Sequence, residues 1–168
     1  AVASLLLIAL SVAPRAQAPV DLSQYVVMGD MLLERARVLP DPLGRRGILS
    51  FLEGTNWPGG VVPVAFVATI TPAQRAQFFT ACGEWSRAAN VRCVGRTSEA
   101  NYVNVSDQTS GCSAVVGYAV GPRAMWLGPG CWSERTLQHE IGHALGLMHE
   151  HQRSDRDQYL TVDYSNVE

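Results

Sequence analysis

The sequence predicts an α+β domain in which short strands precede a helix that carries histidines. Stretches rich in β-branched residues stand upstream of that helix, and only one other helical pattern lies among them. A doubly wound sheet would instead alternate strands and helices throughout. With 168 residues, 47% of them apolar, the chain can bury a core of normal size. Its formal net charge of −2 argues against a nucleic-acid partner.

Residues 1–18 have the character of a secretory signal peptide. The apolar run at 1–10 is too short to span a bilayer, which takes a helix of about 20 residues. It suits the apolar region of a signal, and Ala16-Gln17-Ala18 supplies a small-x-small cleavage site. A buried core strand or helix is the alternative. We expect a signal remnant, and hence a secreted (extracellular or periplasmic) protein with no membrane span in its mature form.

Residues 19–46 are interpreted as a pro-segment. The stretch 21–46 has no sustained periodicity and contains prolines and glycines, as linkers do. Within it, Gly29-Asp30 taken alone indicates only a turn. Arg45-Arg46 offers a processing site for an activating protease, or is simply two solvated arginines.

The compact part begins at Ile48. Residues 61–67 predict a strand, and Pro63 indicates an edge position or an irregularity within it. Thr71 caps a helix that has Pro72 at its first position and runs to Asn90. Apolar residues recur at helical spacing along it and are assigned to the core. They are Phe78, Phe79, Cys82, Trp85 and Ala89.

Further strands are expected at 91–94, 102–105, 114–120 and 124–127, with a turn at Gly121-Pro122 between the last two. Ser133 caps the second helix, which covers about 134–145. Four cysteines allow three disulfide connectivities, among which the sequence does not choose. Because Cys82 lies on the apolar stripe of its helix, a buried free thiol is the interpretation we favour for it.

All four histidines fall between positions 139 and 151. His139 and His143 are four residues apart on the second helix, so both imidazoles project from one face and can bind one zinc ion at roughly 2.0–2.1 Å. Glu140 is poorly placed as a ligand but well placed to take a proton from a water beside the metal.

Gly146 allows the left-handed turn that ends this helix, so that His149 can return as a third ligand. Three protein ligands leave a position open, which is typical of catalytic zinc sites, whereas structural sites use four. With three ligands assigned, His151 is expected to lie beside the site or to face solvent.

The pattern HExxHxxGxxH is the zinc motif of the metzincins, and its continuation resembles the astacin family. That family follows its third histidine with Glu and then an Arg-x-Asp-Arg-Asp run. The matching residues are Glu150, Arg153, Asp155, Arg156 and Asp157. The stretch from Trp57 to Pro63 is similar to the start of an astacin catalytic domain, and 102–105, Gly111-Cys112 and Gly130-Cys131 also match. The resemblance therefore covers the chain from about Gly47 to its end.

The resemblance implies an astacin-like fold, with a mixed, twisted sheet and two main helices, the second carrying the zinc motif. It implies one zinc ion per chain, bound by His139, His143 and His149, and Glu140 as general base. It implies a protein or peptide substrate. The mature N-terminus would lie near Gly47 or Ile48, which gives Arg45-Arg46 its role.

Other roles also come only from the resemblance. Cys112 would pair with Cys131, and Cys93 with a cysteine beyond the present C-terminus. Glu150 would engage the new N-terminus after activation. Asp30 resembles the "aspartate switch" of the pro-segment, a carboxylate that displaces the catalytic water and holds the enzyme latent.

The family's Met-turn and its tyrosine would lie downstream of Glu168, so residues 47–168 are expected to be the N-terminal part of the catalytic domain. The predicted function is a secreted zinc endopeptidase made as a zymogen. The alternative is a non-catalytic zinc-binding or adhesion module on the same scaffold. Glu140 argues against it, because a binding module has no need of a base there.

Overall fold

The computed structural model describes residues 22–35, 56–152, 155–163 and 165. The predicted signal peptide, the Arg45-Arg46 pair and the domain start near Gly47 or Ile48 lie outside the described residues. Of the helices within these ranges, none is both long and apolar enough to cross a membrane.

Seven strands and two α-helices form the described part of the chain. In chain order they are β1 (Tyr25–Met28), β2 (Met31–Glu34), β3 (Val61–Phe66), α1 (Pro72–Ala88), β4 (Arg92–Gly95), β5 (Tyr102–Asp107), β6 (Cys112–Val115), β7 (Pro122–Leu127) and α2 (Glu134–Ala144). The strands make one sheet in the order β1-β2-β6-β7-β5-β3-β4. The pairs β1–β2 and β6–β7 are antiparallel and the other four are parallel. The predicted α+β class, with a mixed sheet and two main helices, is confirmed.

The core lies between the sheet and the two helices. Val64, Val105 and Leu127 on the sheet are buried against Phe78 of α1 and Ile141 of α2 in one apolar cluster. Because α1 and α2 pack on each other as well as on the sheet, the helix that carries the histidines is held on two sides.

The prediction of an edge position for Pro63 is wrong. Its strand, β3, lies between β4 and β5. The Val64 carbonyl accepts a hydrogen bond from the N–H of Arg96, just beyond β4, so the peptide groups of even-numbered residues in β3 face β4. The N–H of Val67 donates to the carbonyl of Val105 in β5, so the peptide groups of odd-numbered residues face β5. Pairing with β5 begins only at Val64, and the missing N–H of Pro63 falls just before that ladder. An interior strand therefore accommodates the proline.

The strand predicted at 114–120 is shorter than expected and lies earlier, at Cys112–Val115. After Val115 the chain leaves the sheet and turns at Gly117, whose φ is +68°. Val116 N–H still donates to Leu32 O of β2, and the Gly117 N–H then donates to His143 O over 2.9 Å, so the chain passes from the sheet to α2 at this point. Pro122, expected in a turn, begins β7.

Helix α1 begins as predicted. The Thr71 hydroxyl accepts from Gln74 N–H and the Gln74 side chain accepts from Thr71 N–H, a reciprocal capping box that satisfies two otherwise free donors. Phe78 and Cys82 are buried, while Ala89, predicted on the apolar stripe, is exposed because the helix ends at Ala88.

The cysteine predictions for Cys82 and Cys93 are wrong. The two are joined by a disulfide, so Cys82 is not a free thiol and Cys93 has its partner within the chain. The pairing arises because α1 packs against β4 and brings the two Cα atoms to 6.2 Å, within the range that a disulfide spans. Cys112 and Cys131 are also joined, which is the pairing that the resemblance implies.

We expect the double substitution Cys82→Ala with Cys93→Ala to lower the free energy of unfolding by about 3 kcal/mol, because the closed loop restricts the unfolded chain. Urea denaturation measures this loss. Non-reducing peptide mapping tests the pairing itself, and a free thiol at Cys82 in the oxidised protein would contradict it.

Residues 22–35, interpreted from the sequence as part of a featureless pro-segment, contain the β1–β2 hairpin. Its register pairs Met28 with Met31, so Gly29 and Asp30 form a two-residue turn. Gly29 has a φ of +66°, a conformation that glycine adopts without strain and that hairpin turns require at this position. The hairpin extends the sheet because Met31 and Leu32, both buried, pair in parallel with β6.

Candidate metal centre

Helix α2 brings His139 and His143 together as the sequence predicts. Ser133 caps it by accepting from Thr136 N–H, and the helix ends at Ala144. The two Nε2 atoms lie 3.1 Å apart across one turn. The His143 side chain is only 3% exposed, whereas that of His139 is 45% exposed. One imidazole thus lies in the core and the other at the opening of the site.

The turn after α2 fixes the orientation of the His143 ring. Gly146 has a φ of +105°, as expected for the left-handed residue that ends the helix. The chain then folds back so that Leu147 O lies 2.8 Å from His143 Nδ1. Since a carbonyl can only accept, Nδ1 carries the proton and Nε2 is left with its lone pair directed at the site. Burial lowers the pKa of His143, which favours the neutral ligand form.

His149 approaches the pair from the other side of this turn. Its Nε2 lies 3.2 Å from His139 Nε2. The His151 ring stacks on His149 with centroids 5.1 Å apart and is itself exposed. His151 therefore lies beside the three-histidine cluster and outside it.

Asp30, at the tip of the hairpin, enters the same cluster. Its Oδ2 lies 3.1 Å from His139 Nε2, and its Oδ1 lies 3.0 Å from His149 Nε2 and 3.4 Å from His143 Nε2. The backbone holds it there, because Asp30 O accepts from Ala114 N–H of β6 over 3.0 Å. Burial raises the pKa of Asp30, but the three histidines and a backbone hydrogen bond together lower it by more, so the pKa falls overall and the carboxylate is favoured.

The geometry of these four side chains fits a tetrahedral zinc ion. One ligand atom from each lies within 4.8 Å of all the others. Metal–ligand bonds of 2.0–2.1 Å imply edges of about 3.3–3.4 Å in a regular tetrahedron. With Asp30 Oδ1 as the carboxylate atom, four of the edges measure 3.0–3.4 Å. Three imidazoles and one carboxylate are also ligand types that zinc accepts.

Glu140 lies beside the cluster, one residue beyond His139, and is 1% exposed. Within the described part of the chain, its Oε2 has no hydrogen-bond partner. Burial, and next the charge of Asp30, raise the pKa of Glu140 to about 8. An unpartnered buried carboxyl oxygen with a pKa near neutrality is suited to exchanging a proton with a water molecule.

Trp57 supports the metal helix, a role that sequence reasoning did not assign. Its Nε1–H donates to Ala144 O over 2.8 Å, at the end of α2 and beside His143. Its ring packs edge-on against Tyr118 with centroids 5.2 Å apart, and the residue is 5% exposed. The contact spans 87 residues of sequence, so only the fold brings the two groups together.

We expect Trp57→Phe to lower the free energy of unfolding by roughly 1–3 kcal/mol, because it leaves a buried carbonyl unpaired while keeping most of the packing. Denaturant titration checks this. Trp85→Phe is the matched control. Trp85 Nε1–H also donates to a carbonyl of α2, that of Gln138, but this bond is less buried, so we expect a smaller loss of stability. Equal stability of Trp57→Phe and the wild type would contradict the assignment.

An open cleft adjoins the cluster on the side of β6. Its lining includes Asp30, His139, Glu140, Arg135, Thr136 and Cys112. The Cys112–Cys131 disulfide ties β6, at the edge of this cleft, to the turn that precedes α2.

The residues after His149 are described in part. Glu150 is exposed on the short 3-10 turn Glu150–Gln152, and the chain start that it would engage lies outside the described residues. Arg156 donates to His151 O over 2.9 Å and so ties the following turn to this one. Arg153 also lies outside the described residues.

Comparison with known proteins gives consistent matches. The sequence model of the peptidase family Astacin matches residues 51–168. Tolloid-like protein 2 of Homo sapiens is 38% identical over 128 residues, which are 76% of this chain and 12% of that protein. Zinc metalloproteinase nas-12 of Caenorhabditis elegans is 31% identical over 151 residues, 86% of this chain and 39% of that protein. The chain therefore spans a minor part of the length of these relatives.

A solved structure is similar as well. It is that of high choriolytic enzyme 1, a hatching enzyme zinc-protease from Oryzias latipes (Medaka fish). The match has a TM-score of 0.62 and 27% sequence identity, and covers 72% of this chain and 63% of that one.

Proposed function

We propose, because the chain belongs to the astacin family of peptidases, that it forms the N-terminal part of a secreted zinc-dependent endopeptidase made as a latent zymogen. The family resemblance inferred from the zinc motif is thereby confirmed. One observation carries the proposal beyond membership: His139, His143 and His149 converge on one point with Glu140 beside them. The proposed divisions are a signal peptide at 1–18, a pro-segment at 19–46 and the catalytic part at 47–168.

One zinc ion would be held by the three histidines, where it would polarise the scissile carbonyl and lower the pKa of a water molecule. The chain's own residues prepare that position. The Leu147 carbonyl fixes the His143 tautomer, and burial keeps its ring neutral. Trp57 fixes the end of the helix from which His143 projects.

Glu140 is the proposed general base and acid. Its buried, unpartnered oxygen takes a proton from the attacking water and returns it to the leaving amine.

Asp30 is the proposed source of latency. Its carboxylate occupies the position that a water or a substrate carbonyl would need, within 3.4 Å of all three imidazoles. An activating protease acting near Arg46 would release the segment that contains Asp30. Glu150 would then engage the new N-terminus near Gly47 or Ile48.

The test is zinc content in the full-length protein. We expect one zinc ion per chain by elemental analysis, and loss of most of it in His143→Ala, because the remaining ligands cannot complete the site. His151→Ala, which alters an exposed ring beside the cluster, is the matched control and should retain zinc. Full zinc content in His143→Ala would overturn the assignment.

A further inference from the structure

Arg123 is a buried cation on β7, next to the strand that edges the cleft. Its side chain is 3% exposed. Two of its donors go to backbone carbonyls just beyond β6, from Nε to Gly117 O over 3.0 Å and from Nη2 to Val116 O over 3.2 Å. Neither carbonyl neutralises the charge, so a buried guanidinium here needs an anionic partner as well.

That partner is Glu34, at the end of β2. Arg123 Nη1 donates to Glu34 Oε1 across 89 residues of sequence. Tyr25 lies opposite Glu34 in the hairpin register. Glu34 follows Asp30 by four residues of extended chain, or about 13 Å at the usual rise of a strand. The hairpin thus places one carboxylate at the three histidines and a second at Arg123.

The edge of β6 that pairs with β2 would be exposed once the hairpin is removed. Ala114 N–H donates to Asp30 O and Val116 N–H to Leu32 O, so removal of β2 frees both donors. An extended peptide whose bond is to be cleaved can pair with this edge by strand addition. It would cross the metal centre at one end of the ladder and the Arg123 guanidinium at the other.

We propose that Arg123 forms a subsite for an acidic side chain of the substrate, at a distance of several residues from the cleaved bond, and that Glu34 fills this subsite in the structure described here. The proposal rests on the proposed endopeptidase function. A guanidinium fixed by two carbonyls presents its remaining N–H groups in one direction, which matches a carboxylate better than a neutral amide. Removal of Glu34 would take the ion pair away from a buried charge, and an acidic substrate side chain would restore it.

The first experiment scans a single Glu through a neutral peptide that the processed full-length enzyme cleaves, with Gln at the same position as the matched comparison. We expect one position, three to five residues from the cleaved bond, at which Glu raises kcat/KM about tenfold or more over Gln, mainly through KM. Whether that position precedes or follows the bond reports the direction of the peptide along β6. A ratio below about twofold at every position overturns the proposal.

The ratio of kcat/KM for the Glu peptide to kcat/KM for the Gln peptide is then measured in two variants of Arg123. Arg123→Gln should bring the ratio close to one. Arg123→Lys should leave an intermediate value, because lysine keeps the positive charge but lacks the planar guanidinium that bonds both carboxylate oxygens. An unchanged ratio in Arg123→Gln assigns the preference elsewhere and overturns the proposal. If either variant fails to fold, the peptide scan with wild-type enzyme still tests the proposal.

A second experiment needs no turnover and so separates this proposal from the proposed function. In the unprocessed protein, Glu34→Gln should accelerate hydrogen exchange of the Ala114 and Val116 amides about tenfold or more, since the hairpin loses its second anchor. Glu84→Gln is the control, because its pair with Arg87 lies on the exposed side of α1, where Arg87 is 74% exposed. If no peptide is cleaved, the endopeptidase function fails. Unchanged exchange in Glu34→Gln overturns the carboxylate site itself.

Discussion

Replacing Glu140 with Gln is expected to lower kcat for peptide hydrolysis by about 10²–10⁴-fold in the processed full-length enzyme, the usual contribution of a positioned general base. The amide keeps the shape of the side chain but cannot accept the proton from the attacking water. Zinc content should not change, because the converging ligand atoms of the three histidines belong to other residues. Hydrolysis of a fluorogenic peptide and elemental analysis measure the two quantities on one preparation.

Glu134→Gln is the matched control. Glu134 lies in the first turn of the same helix but is exposed and away from the cluster, so its loss should leave hydrolysis within about twofold of wild type, as for most surface changes. Undiminished cleavage by Glu140→Gln, with zinc bound, would contradict the proposed mechanism.

Replacing Asp30 with Ala should give the unprocessed protein measurable activity. The wild-type carboxylate lies within hydrogen-bonding distance of the Nε2 atoms of His139 and His149, at the position that we propose a water or substrate would need. Without it the fourth position is open to water, although the hairpin still covers β6. We therefore expect activity above the wild-type zymogen by about tenfold or more, and below that of the processed enzyme.

Asp107→Asn is the control for this experiment, because Asp107 is an exposed carboxylate at the end of β5 that accepts from Thr69. It should leave the unprocessed form inactive. If Asp30→Ala is as inactive as the wild-type zymogen while processing activates both, Asp30 does not cause latency.

The parts of the fold that depend on neighbours in sequence could be predicted. The caps at Thr71 and Ser133 involve groups three residues apart, and the spacing of His139 and His143 is a property of one helix turn. Gly146 likewise signals the end of α2 through its own backbone. These features need no knowledge of what packs against them.

Features that depend on distant contacts could not be predicted. The partner of Cys82 is chosen by how α1 packs on β4, and Pro63 is tolerated because of where the β5 ladder begins. The two strands of the hairpin at 25–34 are too short for their residue pattern to predict them, and β2 is stabilised by its pairing with β6. The ion pair of Arg123 and Glu34 spans 89 residues and has no signature in either local sequence.

The central claim is tested most directly by peptide hydrolysis with the full-length protein, before and after cleavage near Arg46, with and without a zinc chelator. The account predicts little or no hydrolysis before processing, and strong hydrolysis afterwards. The chelator should abolish it and added zinc should restore it. Chelator-resistant hydrolysis, or no hydrolysis by the processed, zinc-loaded protein on any peptide of a broad library, would contradict it.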